Sequence, residues 1–221
     1  MQRLFDILFS SVALIVISPT FLILMIVLRF SGEGEIFFFQ ERIGRGGRRI
    51  KLFKFVTMLK NSENIGTGTV TLQNDPRILP IGRFLRRTKI NELPQLFNIL
   101  KGDMSVIGPR PQTQRCFDSF PIKSQQMILL VRPGLSGVGS IVFRDEEELM
   151  ADHGNADYLY DEIIMPYKGL LEQWYVENNS LYVYFGLIAL TILAVILPKT
   201  DTIWTVFKSL PKPPENISKI L

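Results

Sequence analysis

From Ile7 to Leu28 the apolar character of the chain is interrupted only by serine, threonine and Pro19. As a helix rising ~1.5 Å per residue, this stretch measures ~33 Å, enough to cross a hydrocarbon core of ~30 Å. A cleaved signal peptide is disfavoured. Asp6 precedes the apolar core, the core is too long, and no small-x-small cleavage site follows it. Pro19 lacks an N–H and its ring meets the carbonyl four residues back, so the helix is expected to bend near Ser18-Pro19. Arg3 stands before the stretch, and Arg29, Arg42, Arg45, Arg48, Arg49 and Lys51 follow it. Basic residues at both ends suit a segment that enters and returns on the cytoplasmic side, with a true span as the rival.

The 221 residues suffice for one domain with appendages. At 47% hydrophobic, with a mean hydropathy of +0.19, the chain is more apolar than a typical soluble enzyme. A net charge of +4 and a pI near 9.2 favour an anionic partner or surface. Cys116 is the single cysteine, which excludes an internal disulfide and a cysteine-built metal cluster. His153 is the single histidine, which disfavours His-ligated zinc and Ser-His-Asp chemistry. Acid–base work therefore falls to carboxylates, lysines or tyrosines.

Ile36–Gln40 and Ile50–Phe55 read as short strands. The run Gly44-Arg45-Gly46-Gly47-Arg48 between them lacks the Lys-Ser/Thr ending of a phosphate-binding loop, so a tight β-turn is the reading. Met58 to Pro80 reads as an irregular loop and Ile81–Arg87 as a short basic helix. Leu93, Leu96, Phe97 and Leu100 fall at helical spacing and predict a core-facing stripe. Asn91 is the expected N-cap of that helix, Pro94 fits its first turn, and Gly102 stops it. Pro121–Val131 reads as a helix, Asp145–Glu148 as an acidic run, and about Asp157–Glu177 as a helix broken or kinked at Pro166. Leu181–Leu197 is again strongly apolar but short for a span, so an interfacial or membrane-immersed helix competes. The tail, with Pro211, Pro213 and Pro214, is expected to be poorly ordered.

The densest chemistry lies in residues 88–111. A helix start offers free N–H groups to an anion, and Arg87 and Lys89 stand just before it. Glu92 and Asp103 are hard oxygen donors suited to Mg²⁺, and Arg110, between two prolines, is suited to clamping a phosphate bidentately. Together they have the parts of a phosphoryl-transfer site. Singly, each has a plain structural alternative: Glu92 as a helix-dipole partner, Asp103 as a turn residue, Arg110 as an ordinary ion-pair partner.

Residues 88–111 resemble the hallmark of the bacterial sugar transferase family, the polyprenyl-phosphate glycosyl-1-phosphate transferases of the single-membrane-helix type. Arg3-Leu4-Phe5-Asp6 with Ser18-Pro19, Phe38–Gly44, Phe53-Lys54-Phe55 with Thr57-Met58, Asp75-Pro76-Arg77 and Gly82–Arg86 resemble further family blocks. So do Arg132–Gly137 and Tyr175–Asn178 with Ser180. The resemblance implies an α+β, mostly α, fold. A re-entrant, helix-break-helix membrane segment would occupy 1–30 and a cytosolic catalytic domain with a short β-hairpin and interfacial helices 31–180. An apolar membrane-associated helix at 181–197 and a tail at 198–221 would follow. The implied reaction moves a sugar-1-phosphate from a UDP-sugar to a polyprenyl phosphate with release of UMP, as the first membrane step of surface-glycan synthesis. Mg²⁺ is the implied cofactor and the cytoplasmic face of the bacterial inner membrane the implied location. The basic stretch Arg42–Lys54 would rest on anionic headgroups, while no nucleic-acid motif accompanies the charge. Lys54 joins Arg87, Lys89 and Arg110 as a candidate phosphate ligand, and Glu172 and Arg132 are accessory candidates.

In the resemblance, positions 91 and 92 correspond to an Asp-Glu dyad whose Asp attacks the sugar-bearing phosphate. Here that position is Asn91, and a carboxamide is not a competent nucleophile toward phosphate. A natural branch in which Glu92 attacks, direct attack by the carrier phosphate, an engineered replacement, and a silent binding protein are the four readings. Val56 where a basic residue is common, Glu172 where Asp is usual, and the missing Asp pattern after Ser180 favour a natural branch.

Overall fold

The computed structural model describes residues 1–60, 62, 75–144, 146, 149, 158–196 and 202–218. His153, most of the expected 58–80 loop and most of the acidic run 145–148 lie outside the described residues. The fold is mostly helical α+β, with one long apolar N-terminal helix and a small antiparallel hairpin.

Helix α1 (Gln2–Arg29) runs through Pro19 without interruption, so the expected helix-break-helix is not seen. Pro19 withholds the donor that the Ile15 carbonyl would normally receive. The Ser18 hydroxyl donates to that carbonyl instead, at 2.8 Å, and offsets the lost bond. Near the N-terminus the buried Asp6 carboxylate accepts from the Ser105 hydroxyl, the Val106 N–H and the Tyr184 hydroxyl, each at 2.9 Å. The Arg3 guanidinium donates to the Ile99 and Leu100 carbonyls. Further along, Phe21 meets Phe55 edge-on at 5.1 Å, and Leu28 is buried in the same cluster. Helix α1 therefore packs on the domain along its whole ~42 Å. Its outer row, including Leu8, Val12, Ile15, Val16, Leu22, Ile23 and Ile26, is exposed.

Strands β1 (Phe37–Ile43) and β2 (Arg49–Phe55) pair antiparallel, with Phe37 opposite Phe55 and Ile43 opposite Arg49. Gly46 and Gly47 take positive φ in the connecting turn, where a Cβ would be strained. After α2 (Pro80–Arg87) and a 3₁₀ turn (Ile90–Glu92), α3 (Gln95–Lys101) packs on β2. Its buried face follows the expected stripe only in part. Gln95, Leu96, Asn98 and Ile99 are buried while Phe97 is exposed. Asn98 explains the rotation: its amide accepts from the Phe53 N–H at 3.0 Å and donates to the Lys51 carbonyl at 2.8 Å, binding the hairpin's backbone. Nor does Asn91 cap this helix, which starts at Gln95 behind Pro94.

Strands β3 (Ser105–Ile107) and β4 (Gly134–Ser136) pair parallel across a connection holding α4 (Gln114–Asp118) and α5 (Ile122–Ile128). After α6 (Val138–Val142), a π-helical segment (Leu159–Ile164) passes into α7 (Met165–Glu177), with Pro166 in its first turn, where a missing N–H costs little. Helix α8 (Leu181–Ile196) buries Val183, Tyr184, Leu187 and Leu190 and exposes Tyr182, Phe185, Ile192, Val195 and Ile196. Phe185 packs at 4.9 Å from Phe5 and 6.2 Å from Phe9, which makes the apolar surfaces of α1 and α8 continuous.

The described part of the tail, expected to be poorly ordered, is packed. Helices α9 (Thr202–Val206) and α10 (Glu215–Ser218) are present, and Ile203, Phe207, Leu210 and Ile217 enter the main core. Phe207 lies 5.3 Å from Trp174, and the Tyr167 and Trp204 side chains both donate to the Pro211 carbonyl.

Asp6→Ala leaves buried donors on β3 and α8 without an acceptor. It is expected to lower stability by on the order of 3 kcal/mol, and Tyr184→Phe by about 1.5 kcal/mol, in denaturant unfolding of detergent-solubilised protein.

Candidate functional site

Side chains two apart on a strand share a face, and cross-strand partners point the same way. Lys54 lies opposite Phe38, and Arg42 is two positions beyond Gln40 on that face. The hairpin thus turns Arg42 and Lys54 inward together, with the Gln40 amide accepting from Arg42. This corrects the expectation that the Arg42–Lys54 face meets headgroups as a unit. Arg45, Arg48, Arg49 and Lys51 are exposed, but Arg42 and Lys54 belong to the interior cluster.

Opposite them the 3₁₀ turn, entered through Lys89 at φ 57°, delivers Glu92. The loop after β3 delivers Arg110, whose guanidinium grips Glu92 as a fork at 2.6 and 3.3 Å. Lys54 Nζ stands 3.9 Å from the same carboxylate. Burial works against the charge on Glu92, but Arg110, Lys54 and Lys89 outweigh it and hold the carboxyl at about 2. Burial, together with Arg42, Arg110 and Arg86, pushes the Lys54 amine down to about 7 despite Glu92. Burial and then Arg110 lower Arg42 to about 10. Among the described residues the group is a cationic pocket organised around the ionised Glu92 carboxylate.

Asn91, next to Glu92, is buried, and its Oδ1 has no hydrogen-bond partner among the described residues. Such an atom is costly unless something arrives to meet it.

The Arg110 loop is held from behind. A Cβ at Gly134 would come within 2.1 Å of the Gly108 nitrogen, and one at Gly137 within 2.1 Å of the Gly108 oxygen. Only glycine allows this backbone contact. Beneath it Glu172, 1% exposed, accepts the backbone N–H groups of Arg110 and Gly139. Burial raises its carboxyl to about 8 although Lys168 opposes this, so it is largely protonated at neutral pH. Lys168 itself is buried and bonded to both oxygens of Glu146 at 2.9 Å.

The structure thus brings Asn91, Glu92, Lys54 and Arg110 together, with Glu172 behind the loop rather than in the pocket. Lys89 is exposed but acts on Glu92 through its charge. Arg87 is exposed at the end of α2, and its neighbour Arg86 is the residue whose charge reaches Lys54. Asp103 lies past the opposite end of α3, ~10 Å of helix from Glu92, and pairs with Lys101 at 3.1 Å. Arg132 donates to the Gly102 carbonyl at 2.9 Å, at that same far end. Arg42 is the member that sequence reading assigned elsewhere. Two-residue alternation along β1, once registered on Lys54, would have found it.

Lys54 is cationic below about pH 7 and neutral above. Pyrophosphate binding, followed by calorimetry, is expected to weaken as pH rises through 7, by at most about tenfold per pH unit, and Lys54→Arg to remove that dependence. Because the raised Glu172 carboxyl ionises only near 8 in the folded protein, its contribution to stability is present at low pH and lost as pH rises through 8. Glu172→Gln is expected to remove that loss in pH-dependent unfolding.

A family model described as bacterial sugar transferase matches residues 1–198. The exopolysaccharide production protein ExoY of Rhizobium meliloti is 34% identical over 215 residues, covering 90% of this chain and 86% of that protein. The UDP-N-acetylgalactosamine-undecaprenyl-phosphate N-acetylgalactosaminephosphotransferase of Aeromonas hydrophila is 34% identical over 197 residues, covering 88% of this chain and 43% of that protein. The undecaprenyl-phosphate galactose phosphotransferase of Salmonella typhimurium is 32% identical over 196 residues, covering 82% of this chain and 37% of that protein. With the match running from α1 through α8 and across every side chain of the cationic pocket, the chain belongs to the bacterial sugar transferase family and is a membrane-associated sugar-phosphate transferase.

Proposed function

We propose that the protein transfers a sugar-1-phosphate from a UDP-sugar to a polyprenyl phosphate, releasing UMP, as the opening membrane step of a surface glycan. The observation that carries this reading is the convergence of Arg42, Lys54 and Arg110 on Glu92. Among the described residues, several cations gather on the Glu92 carboxylate, which suits a diphosphate and the charge that moves along it during transfer. Arg110 and Lys54 bind phosphate oxygens, and Arg86 and Lys89 add field from the rim. Glu172 and the glycine contacts fix the loop that carries Arg110.

Mg²⁺ fits this pocket as an ion shared with the diphosphate rather than one caged by protein. Among the described residues no group of three acidic, histidine or cysteine side chains is gathered. The Glu92 carboxylate and the unpartnered Asn91 Oδ1 are consecutive hard oxygen donors, and such sites commonly use one or two protein oxygens plus substrate phosphates. When bound, the ion would offset phosphate charge. Asp103, at the far end of α3, takes no part in this reading.

We place the exposed rows of α1 and α8 in one leaflet of the cytoplasmic membrane, with the domain on the cytoplasmic face. A helix that packs on its own domain from Asp6 to Leu28 suits a path along the membrane surface better than one through it. Single cysteines at positions 1 and 30 are expected to be labelled from the same side in sealed vesicles; labelling from opposite sides would refute this placement.

Asn91 favours one second reading, a silent binder of sugar nucleotide or lipid phosphate. Incubation with a panel of UDP-sugars and undecaprenyl phosphate separates the two. Mg²⁺-dependent UMP release with at least one donor is expected, with Arg110→Lys and Lys54→Met each lowering it by about 10²-fold or more. Absence of release with every donor would favour the binder.

A further inference from the structure

We propose that the donor is a 2-acetamido sugar nucleotide, whose acetamide is recognised by Gln112 in a small apolar cavity beside Arg110. The inference rests on the transfer reaction proposed above and concerns which donors it selects.

Residues 109–112 form the loop that carries Arg110 and Gln112, and its backbone is fixed from two sides. The Pro109 carbonyl accepts from the Gly134 N–H at 2.8 Å, and the Gln112 carbonyl accepts from the Ile43 N–H at 2.9 Å. The Gly46 N–H donates to the Leu129 carbonyl at 2.9 Å, which ties the hairpin turn to the end of α5. Between these attachments lies a cavity with an apolar wall built from Ile43, Pro111, Phe117, Ile128 and Val131. Arg110 and Gln112 are the polar side chains on that wall among the described residues. The cavity has room for little more than a water molecule or a methyl group.

Gln112 is the group that calls for a ligand. It is 7% exposed, yet its side-chain amide makes no hydrogen bond among the described residues. A buried amide without partners is costly. It offers a carbonyl oxygen and an NH₂ group, so it can accept and donate together. An acetamide presents the complement, one N–H and one carbonyl, and ends in a methyl group that an apolar wall favours. A sugar hydroxyl can meet Gln112 but brings no methyl to the cavity. A uracil ring has a similar polar edge but is too large for the space. A buried water is held by about three polar partners, which a mostly apolar wall does not supply.

Position along the chain supports the same assignment. The C2 substituent is the sugar group nearest the anomeric phosphate. Gln112 stands two residues after Arg110, the guanidinium suited to hold that phosphate. One rigid loop can therefore hold the phosphate and test the substituent beside it.

Matched donors test this. UDP-N-acetylglucosamine is compared with UDP-glucose, and UDP-N-acetylgalactosamine with UDP-galactose, using the detergent-solubilised protein. UMP release is followed with undecaprenyl phosphate present, and binding is followed by calorimetry without it. In at least one pair the acetamido donor is expected to bind more tightly and to show a kcat/KM higher by about 10²-fold. Gln112→Leu, which removes the amide, and Val131→Leu, which fills the cavity, are each expected to reduce that ratio by about tenfold or more. Equal affinity and kcat/KM within both pairs would overturn the acetamide subsite and leave the transferase reading intact. So would a preference for the hydroxyl donors, or an acetamido preference that both variants retain. Tighter acetamido binding with no turnover of any donor would overturn the transferase reading alone.

Discussion

Everything in the pocket depends on one ion pair, the fork between Arg110 and Glu92. It joins the turn before α3 to the loop after β3, two segments that would otherwise be related only through the body of the domain. A mostly buried carboxylate is stable only with such a partner, and the partner is held by features that look unrelated to it. Gly134 and Gly137 let backbones approach closely behind Gly108, and the Glu172 carboxyl receives the Arg110 N–H from below. The same pair sets the electrostatics. With Glu92 ionised across the physiological range, the nearby cations stay in place, yet crowding and burial bring the Lys54 amine close to its titration point.

A second anchor governs where the pocket sits. Asp6, near the start of the most apolar segment, is tied to β3 and α8, so the long apolar helix and the strand that leads to Arg110 share a support. Strand β3 leads directly into the Arg110 loop. Helix α8 meets α1 through Phe185, and their outward rows form one apolar surface.

Much of this was legible in the chain. Two short strand-like runs around a glycine-rich turn marked the hairpin, and the length of the first apolar run marked α1. The cluster from Asn91 to Arg110 stood out through its charges and through family resemblance. The failures share a cause: a side chain serving a partner distant in sequence. Asn98 rotates α3 because its amide bonds the hairpin, so an apolar stripe misjudged the buried face. Arg42 reads as one more surface cation until the strand register turns it inward. Ser18 takes up the carbonyl that Pro19 leaves without a donor, so the helix runs on through the Ser-Pro pair where the family resemblance implied a break. The tail packs because Ile203, Phe207 and Leu210 find the Trp174 surface, which no local pattern of prolines could reveal.

The central claim is that the fork between Arg110 and Glu92 prepares the pocket for a diphosphate. A double-mutant cycle on Arg110→Ala and Glu92→Gln, read as pyrophosphate binding by calorimetry, measures that coupling directly. Strongly non-additive losses are the predicted result. Additive losses would contradict the account.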